Sequence, residues 1–143
     1  MKIALGADHG GFVLKDKVKS FLLEKGYEVL DFGTNSADSV NYPVYGKKVA
    51  NAVVNKEADF GIVICGTGIG ISIAANKVRG IRCALCMNST MATLTREHND
   101  ANILALGERM IGDVLALDIV DKFLNTEFLG GRHATRVAMI EEN

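Results

Sequence analysis

The 143-residue sequence predicts an α/β protein: a three-layer α/β/α sandwich, Rossmann-like, around a five-stranded parallel sheet. Three observations lead there. Short apolar runs alternate with segments of helical spacing along the whole chain, the pattern of repeated strand–helix units. Such units cross over in one hand, which makes the strands parallel and covers both faces of the sheet. Connections are short, with one proline and no linker, internal repeat or low-complexity tract, so residues 1–143 read as a single domain.

The elements follow in order. Residues 2–7 form a first strand. Gly10 and Gly11 lead into a helix whose apolar stripe is Phe12, Val13, Leu14, Val18, Phe21 and Leu22, with Gly26 as its stop. Residues 28–32 form the second strand, and a polar loop runs from Gly33 to Asn41. Pro43 suits the first turn of a second helix reaching about Asn55. Residues 59–64 are the third strand and 69–78 the third helix. Residues 81–86 are the fourth strand, and Ser89 is the expected N-cap of a helix to His98. Residues 102–106 form the fifth strand, 113–124 a fifth helix, and 131–141 a C-terminal helix assigned to the site or a dimer interface.

Apolar residues make up 48% and charged residues 23%, ordinary for a globular protein, and the net charge is −1. That balance argues against a nucleic-acid or membrane-surface binder. No run approaches the ~20 apolar residues of a bilayer span. The first residues enter a strand pattern without a signal-peptide layout, so the expected location is cytoplasmic. Cys65, Cys83 and Cys86 are an odd set, which fits a reducing compartment.

The richest segment is ADFGIVICGTGIGISIAANKV, residues 58–78. It reads as strand, glycine turn, helix, and it sets Cys65 at the strand's end beside N–H groups that can face a small anion. A lone cysteine is most often a small buried hydrophobe. This one lies where a helix N-terminus favours thiolate, and a thiolate can act as nucleophile or base. The loop Gly66–Gly70 lacks the Lys-Ser/Thr ending of a Walker loop and sits in the third βα turn, a poor place for a dinucleotide fingerprint. Its donors can hold a phosphate or a developing enolate oxygen.

In parallel sheets ligands bind beyond the carboxyl ends of the strands where the winding reverses. If the first and third strands are neighbours there, Asp8-His9-Gly10-Gly11 and Cys65-Gly66-Thr67-Gly68 meet in one crevice. Asp8-His9 reads as a helix cap or as a grip on sugar hydroxyls and phosphate. His98-Asn99 reads as a cationic helix end with an Asn cap or, functionally, as a proton donor. Arg132, His133 and Arg136 put positive charge at a helix N-terminus, a misfit that suggests an anionic partner. Arg109 follows the fifth strand and can join them. Cys83 and Cys86 point to opposite faces of a strand and lack the second pair that zinc needs.

These residues together resemble the type B ribose-5-phosphate isomerase family, within a superfamily that includes galactose- and allose-6-phosphate isomerases. The similarity runs over essentially the whole chain. Its motifs are ADHGGF (7–12), Asn41-Tyr42-Pro43, ICGTGIGISIAANK (64–77), GIR (80–82), EHND (97–100) and GGRH (130–133). The resemblance implies interconversion of ribose 5-phosphate and ribulose 5-phosphate with no metal or organic cofactor. It makes Cys65 the base, and Thr67 and His98 the groups that open the furanose ring. It gives the cis-enediolate to Gly66, Gly68, Ile69 and Gly70, with Ser72. It gives sugar oxygens to Asp8 and Asn99, phosphate to His9, Arg109, Arg132 and Arg136, and a pocket wall to Tyr42. One branch of the family carries a glutamate base where this chain has Ile71, which leaves Cys65. Asn41 and Arg79 depart from the family pattern. The resemblance further implies a homodimer or homotetramer with shared active sites, residues 98–109 serving the neighbour's pocket.

Two other readings compete. One keeps the mechanism and changes the substrate to a six-carbon aldose phosphate or a free aldose. The other is a phosphosugar-sensing module on the same scaffold.

Overall fold

Alternating burial along β1 (Lys2–Ala7) explains how the layers form. Ile3, Leu5 and Ala7 point to one face and Ala4 to the other, and all four are fully buried. A strand covered on both sides needs helices on both sides. The computed structural model describes residues 1–142; Asn143, the last residue of the predicted domain, lies outside the described residues. The remaining elements are α1 (Phe12–Glu24), β2 (Glu28–Asp31), α2 (Tyr42–Val54), β3 (Phe60–Cys65), α3 (Ile69–Asn76), β4 (Cys83–Leu85), α4 (Ser89–Asn99), β5 (Ile103–Gly107), α5 (Asp113–Leu124) and α6 (Arg132–Ile140).

The sheet order is β2-β1-β3-β5-β4, all parallel. The winding reverses between β1 and β3. One core joins Ile62, Ile64, Leu104 and Leu106 to Leu14, Val18 and Leu22 of α1, Ala92 of α4 and Ile119 and Phe123 of α5. The other joins Val63, Cys65, Ile103 and Ala105 to Val49 and Val53 of α2 and Ile71 and Ala75 of α3. Each fully buried Leu, Ile or Val adds about 1.5–3 kcal/mol, so α1 is held by Leu14, Val18 and Leu22, whereas Val13 of the expected stripe is exposed. Cys65 therefore belongs to the α2–α3 face. Cys83 packs against that same face and Cys86 against the other, and both remain free thiols.

Several boundaries differ from the sequence reading. Asn88, not Ser89, caps α4: its Oδ1 accepts the Met91 N–H at 2.8 Å, while the Ser89 hydroxyl donates to Asp118. The helix runs through Asn99, and Asp100 is the left-handed C-cap (φ 46°) where an Asn cap was expected. Helix α3 stops at Asn76 because that side chain turns to the backbone of Cys83, donating to its carbonyl at 2.9 Å and accepting its N–H at 2.7 Å. Strand β4 starts late because the Ile81 N–H closes a turn onto Val78 and the Arg82 N–H goes to Asn102 Oδ1. Gly26 (φ 88°) ends α1, and Pro43 lies in the first turn of α2, as expected.

A buried charge shapes the rim of the sheet. The Lys15 side chain is fully buried, and its Nζ donates to both oxygens of Asp31 at 2.9 and 3.0 Å and to Asn35 Oδ1 at 2.9 Å. Asp31 also accepts from the Gly33 N–H and from Lys19. Burial pushes the Asp31 carboxyl up, but hydrogen bonds from Lys15, Gly33 and Lys19 outweigh it and hold it below the usual range. This cluster ties the 33–41 loop to α1.

Candidate active site

Register brings three strand ends level: Ala7 pairs with Ile64, and Cys65 with Gly107. The Asp8 N–H donates to the Ile64 carbonyl, the Glu108 N–H to that of Cys65 and the Arg109 N–H to that of Gly66. The strand ends expected to meet at the switch point are thus neighbours, and they gather Asp8, His9, Cys65, the glycine loop and Arg109 at one end of the sheet.

Cys65 is 5% exposed, and its Sγ accepts the Gly68 N–H at 3.1 Å. Such a bond strengthens as the acceptor gains charge. Gly68 has φ 78°, and a Cβ there would sit 2.5 Å from Leu85 Cδ1, so only glycine lets the turn aim this N–H at sulfur. The Thr67 hydroxyl accepts the Ile69 N–H at 3.2 Å, which leaves its proton available. The N–H groups of Gly70 and Ile71 lie in the first turn of α3 and have no intrahelical partner. The Tyr42 ring lies over Gly70: a Cβ on that glycine would be 2.7 Å from two ring carbons. The Arg109 guanidinium lies against Gly66 in the same way. Ser72 donates its hydroxyl to the Ile69 carbonyl at 2.7 Å, so it can meet a ligand only as an acceptor. Ile71 is fully buried in the α2–α3 core.

On the β1 side, Asp8 is 7% exposed and its Oδ1 accepts the Gly10 N–H at 2.8 Å. His9 Nδ1 accepts the Val40 N–H at 3.1 Å. That bond fixes the tautomer of the neutral ring and leaves Nε2–H as the free donor. Sequence reading missed Glu108, whose Oε1 accepts the Leu14 N–H at 2.6 Å and locks the β5 exit to α1. A carboxylate before Arg109 was its only signal.

The remaining residues do not join this crevice within one chain. Helix α4 runs back along the sheet, and the Gly61 N–H, at the start of β3, donates to Asn102 just beyond that helix. Gly61 and Cys65 are four residues apart on one strand, about 13 Å at 3.3 Å per residue. His98 and Asn99 therefore lie at the opposite end of the sheet from Cys65. There the His98 ring stacks on His133 with centroids 4.4 Å apart, and Arg132 and Arg136 share the same helix as His133. Loss of hydration, then the positive charge of His98, Arg132 and Arg136, press His133 below the usual imidazole range, with Glu97 opposing. Thr95 donates to Asn99 Oδ1 at 3.0 Å and leaves the amide N–H groups free. One expectation needs correction. Within the chain Arg109 lies with Cys65, at the other end of the sheet from His98, Arg132 and Arg136, so it does not travel with His98 to a neighbour's pocket.

Among the described residues no group of three or more His, Cys, Asp or Glu is arranged to hold a metal ion, and no helix is long and apolar enough to cross a membrane. Burial pushes Cys86 up to about 11 and raises Cys83 further, so neither of these two thiols ionises readily. The groove of about 570 Å³ between α1 and α5 touches none of the site residues.

Comparison with known proteins identifies relatives along the whole chain. The Ribose/Galactose Isomerase family profile matches residues 3–140. Ribose-5-phosphate isomerase B of Escherichia coli is 52% identical over 139 residues, covering 97% of this chain and 93% of that protein. A solved structure of ribose-5-phosphate isomerase B from Clostridium thermocellum superposes with a TM-score of 0.98 at 65% identity, over 99% of this chain and 95% of that one. The Mycoplasma genitalium ribose-5-phosphate isomerase B, solved with bound ribulose-5-phosphate, superposes at 0.93 with 40% identity, over 98% and 93%. A family match over residues 3–140 and relatives at 52% identity or more define the class, and the chain belongs to the ribose/galactose isomerase family as an isomerase.

Proposed function

We propose that this isomerase interconverts ribose 5-phosphate and ribulose 5-phosphate with Cys65 as the base, in a site completed by a second copy of the chain. The observation that carries the reading is the Gly68 N–H on Cys65 Sγ at the mouth of the glycine loop. The named activities of the E. coli, C. thermocellum and M. genitalium relatives support the choice of substrate.

The chemistry follows from the groups present. Ring opening moves a proton from the anomeric hydroxyl to the ring oxygen: His98 of one copy gives its proton to the ring oxygen and takes up the anomeric one, while the Thr67 hydroxyl of the other copy steadies the sugar by a hydrogen bond. In the open aldose, Cys65 takes the proton from C2. The electron pair forms the C1=C2 bond, and negative charge develops on O1 within reach of the loop N–H groups. A proton passes from O2 to O1, and Cys65 returns its proton to C1 to give the ketose. Phosphate does not react. His9 Nε2–H and Arg109 of one copy, with Arg132 and Arg136 of the other, use its binding to hold C2 beside sulfur.

The pairing of copies has its own support. Ile69 and Ile73 of α3 and Met87, Met91 and Leu94 at and on α4 are exposed apolar side chains near the unfinished site. A symmetric dimer that covers them sets the α4–α6 end of each chain against the crevice of its partner. The three unpaired thiols favour a reducing, cytoplasmic setting.

The test is exchange in D₂O with ribose 5-phosphate. The intact protein is expected to place deuterium at C2, and Cys65→Ala to bind the sugar phosphate without exchange. Full turnover by Cys65→Ala would remove the proposed base. Faster conversion of allose 6-phosphate, galactose 6-phosphate or a free pentose would replace the substrate.

A further inference from the structure

The GIR segment, residues 80–82, carries no role in the mechanism above, yet Arg82 makes the densest set of polar contacts at the α4 end of the molecule. Its backbone is fixed first: the N–H donates to Asn102 Oδ1 at 2.8 Å, the carbonyl accepts the Asn102 N–H at 3.0 Å, and Asn102 Nδ2 bonds the Gly80 carbonyl. Its guanidinium then reaches two helix ends at once. Nε donates to the carbonyls of Asn99 at 3.1 Å and Asp100 at 3.2 Å, and Nη2 to Asp100 at 2.9 Å. Nη1 bonds Glu141 Oε1, the C-cap residue of α6, at 2.7 Å. The side chain is only 17% exposed.

Helix α4 needs this partner. Its last carbonyls have no intrahelical donor, and its exit runs through Asp100, a non-glycine residue at φ 46°. A guanidinium satisfies those carbonyls and suits the negative end of the helix dipole. Arg96 holds the Asp100 carboxylate from the other side at 2.8 Å. Helix α6 has no buried residue, so it lacks an apolar anchor of its own within the chain. Its fixed points toward α4 are the His98–His133 stack near its start, the Leu129 N–H to Glu97 carbonyl bond just before it, and the Arg82–Glu141 pair at its end.

We propose that Arg82 is a positioning residue for the isomerase reaction: one guanidinium clamps the end of α4, which carries His98 and Asn99, to the C-terminal end of α6, the helix whose first turns carry Arg132 and Arg136. It sets the spacing between the ring-opening and phosphate-binding groups of the donated half-site. This rests on the reading that those four residues complete a partner's crevice. Lysine cannot replace the clamp, because an ammonium is a point donor and the two helix ends need a planar fork.

Four variants test it. Glu141→Gln takes only the charge out of the α6 arm at a partly exposed position, so it keeps the test alive even where Arg82→Met fails to fold. It is expected to raise KM for ribose 5-phosphate about threefold to tenfold with kcat nearly unchanged, as weakening a charged hydrogen bond to a neutral one at a non-reacting anchor should. Arg82→Met is expected to lower kcat as well as raise KM, because it also frees His98, and Arg82→Lys to recover only part of either. Circular dichroism and sedimentation report whether fold and assembly persist. An unchanged KM in Glu141→Gln, or an Arg82→Met loss that only tracks the unfolded fraction, overturns the clamp. Arg136→Met separates the two ideas. If it raises KM while Glu141→Gln does not, the clamp alone fails; if it leaves KM unchanged, the phosphate role of α6 fails with it.

Discussion

Mixing two inactive variants gives a decisive readout of where the site is built. Cys65→Ala removes the proposed base from the crevice. His98→Asn removes the proton donor at the other end of the sheet. Within one chain the two residues are separated by at least the length of β3, about 13 Å from Gly61 to Cys65, farther than an imidazole reaches. If each site takes Cys65 from one copy and His98 from the other, a hybrid dimer holds one intact site and one doubly damaged site. Equal mixing makes half of all dimers hybrid, so the mixture recovers about a quarter of wild-type activity per chain. Loss of a general acid lowers the rate by roughly 10²–10⁴, so the His98→Asn parent stays near or below 1% and the recovery stands clear of background. The variants are unfolded together in urea and refolded, hybrids are counted by native mass spectrometry, and ribulose 5-phosphate formation is followed. Hybrids present at half the population with activity no greater than the mean of the parents would show that one chain supplies both residues, and the split site would be wrong.

Two other outcomes follow from the geometry. Gly68→Ala should cost about 2–4 kcal/mol in urea unfolding, from a left-handed backbone plus a Cβ 2.5 Å from Leu85, whereas Gly112→Ala, with φ −77° and open space around it, should change stability by less than about 0.5 kcal/mol. The carboxyl of Asp31 is held low in the folded chain, so its contribution is fully present above its unfolded value of about 3.9 and disappears as pH falls through the lower folded value; urea midpoints should drop on going from pH 5 to below 4, and Asp31→Asn should be less stable at neutral pH but flatter across that window.

Much of the fold was legible because local and global signals agreed. Alternating apolar strands, Gly26 as a stop and Pro43 in a first turn are short-range physics, and all three hold in the structure. The crevice was legible for the same reason: the parallel topology alone places Asp8, His9 and Cys65 at adjacent strand ends. Local competition hid other details. Asn88 and Ser89 are both good caps, and the choice between them is settled by Asp118 on α5, which takes the serine hydroxyl. Long-range placement was the least visible. Arg109 and His98 lie close in sequence, and only the direction of β5 sends them to opposite ends of the sheet. The His98–His133 stack depends on how α6 returns to α4, and no residue spacing encodes that.

Lys15 has a practical consequence. Its ammonium is sealed between α1 and the 33–41 loop, so amine-reactive dyes and immobilisation chemistries that decorate the outer lysines should pass it by. The Val40 amide that aims His9 belongs to the same loop. A preparation heavily labelled on its amines should therefore keep that imidazole aimed as in the untreated protein, and a lysine-coupled surface is a sound way to tether this enzyme.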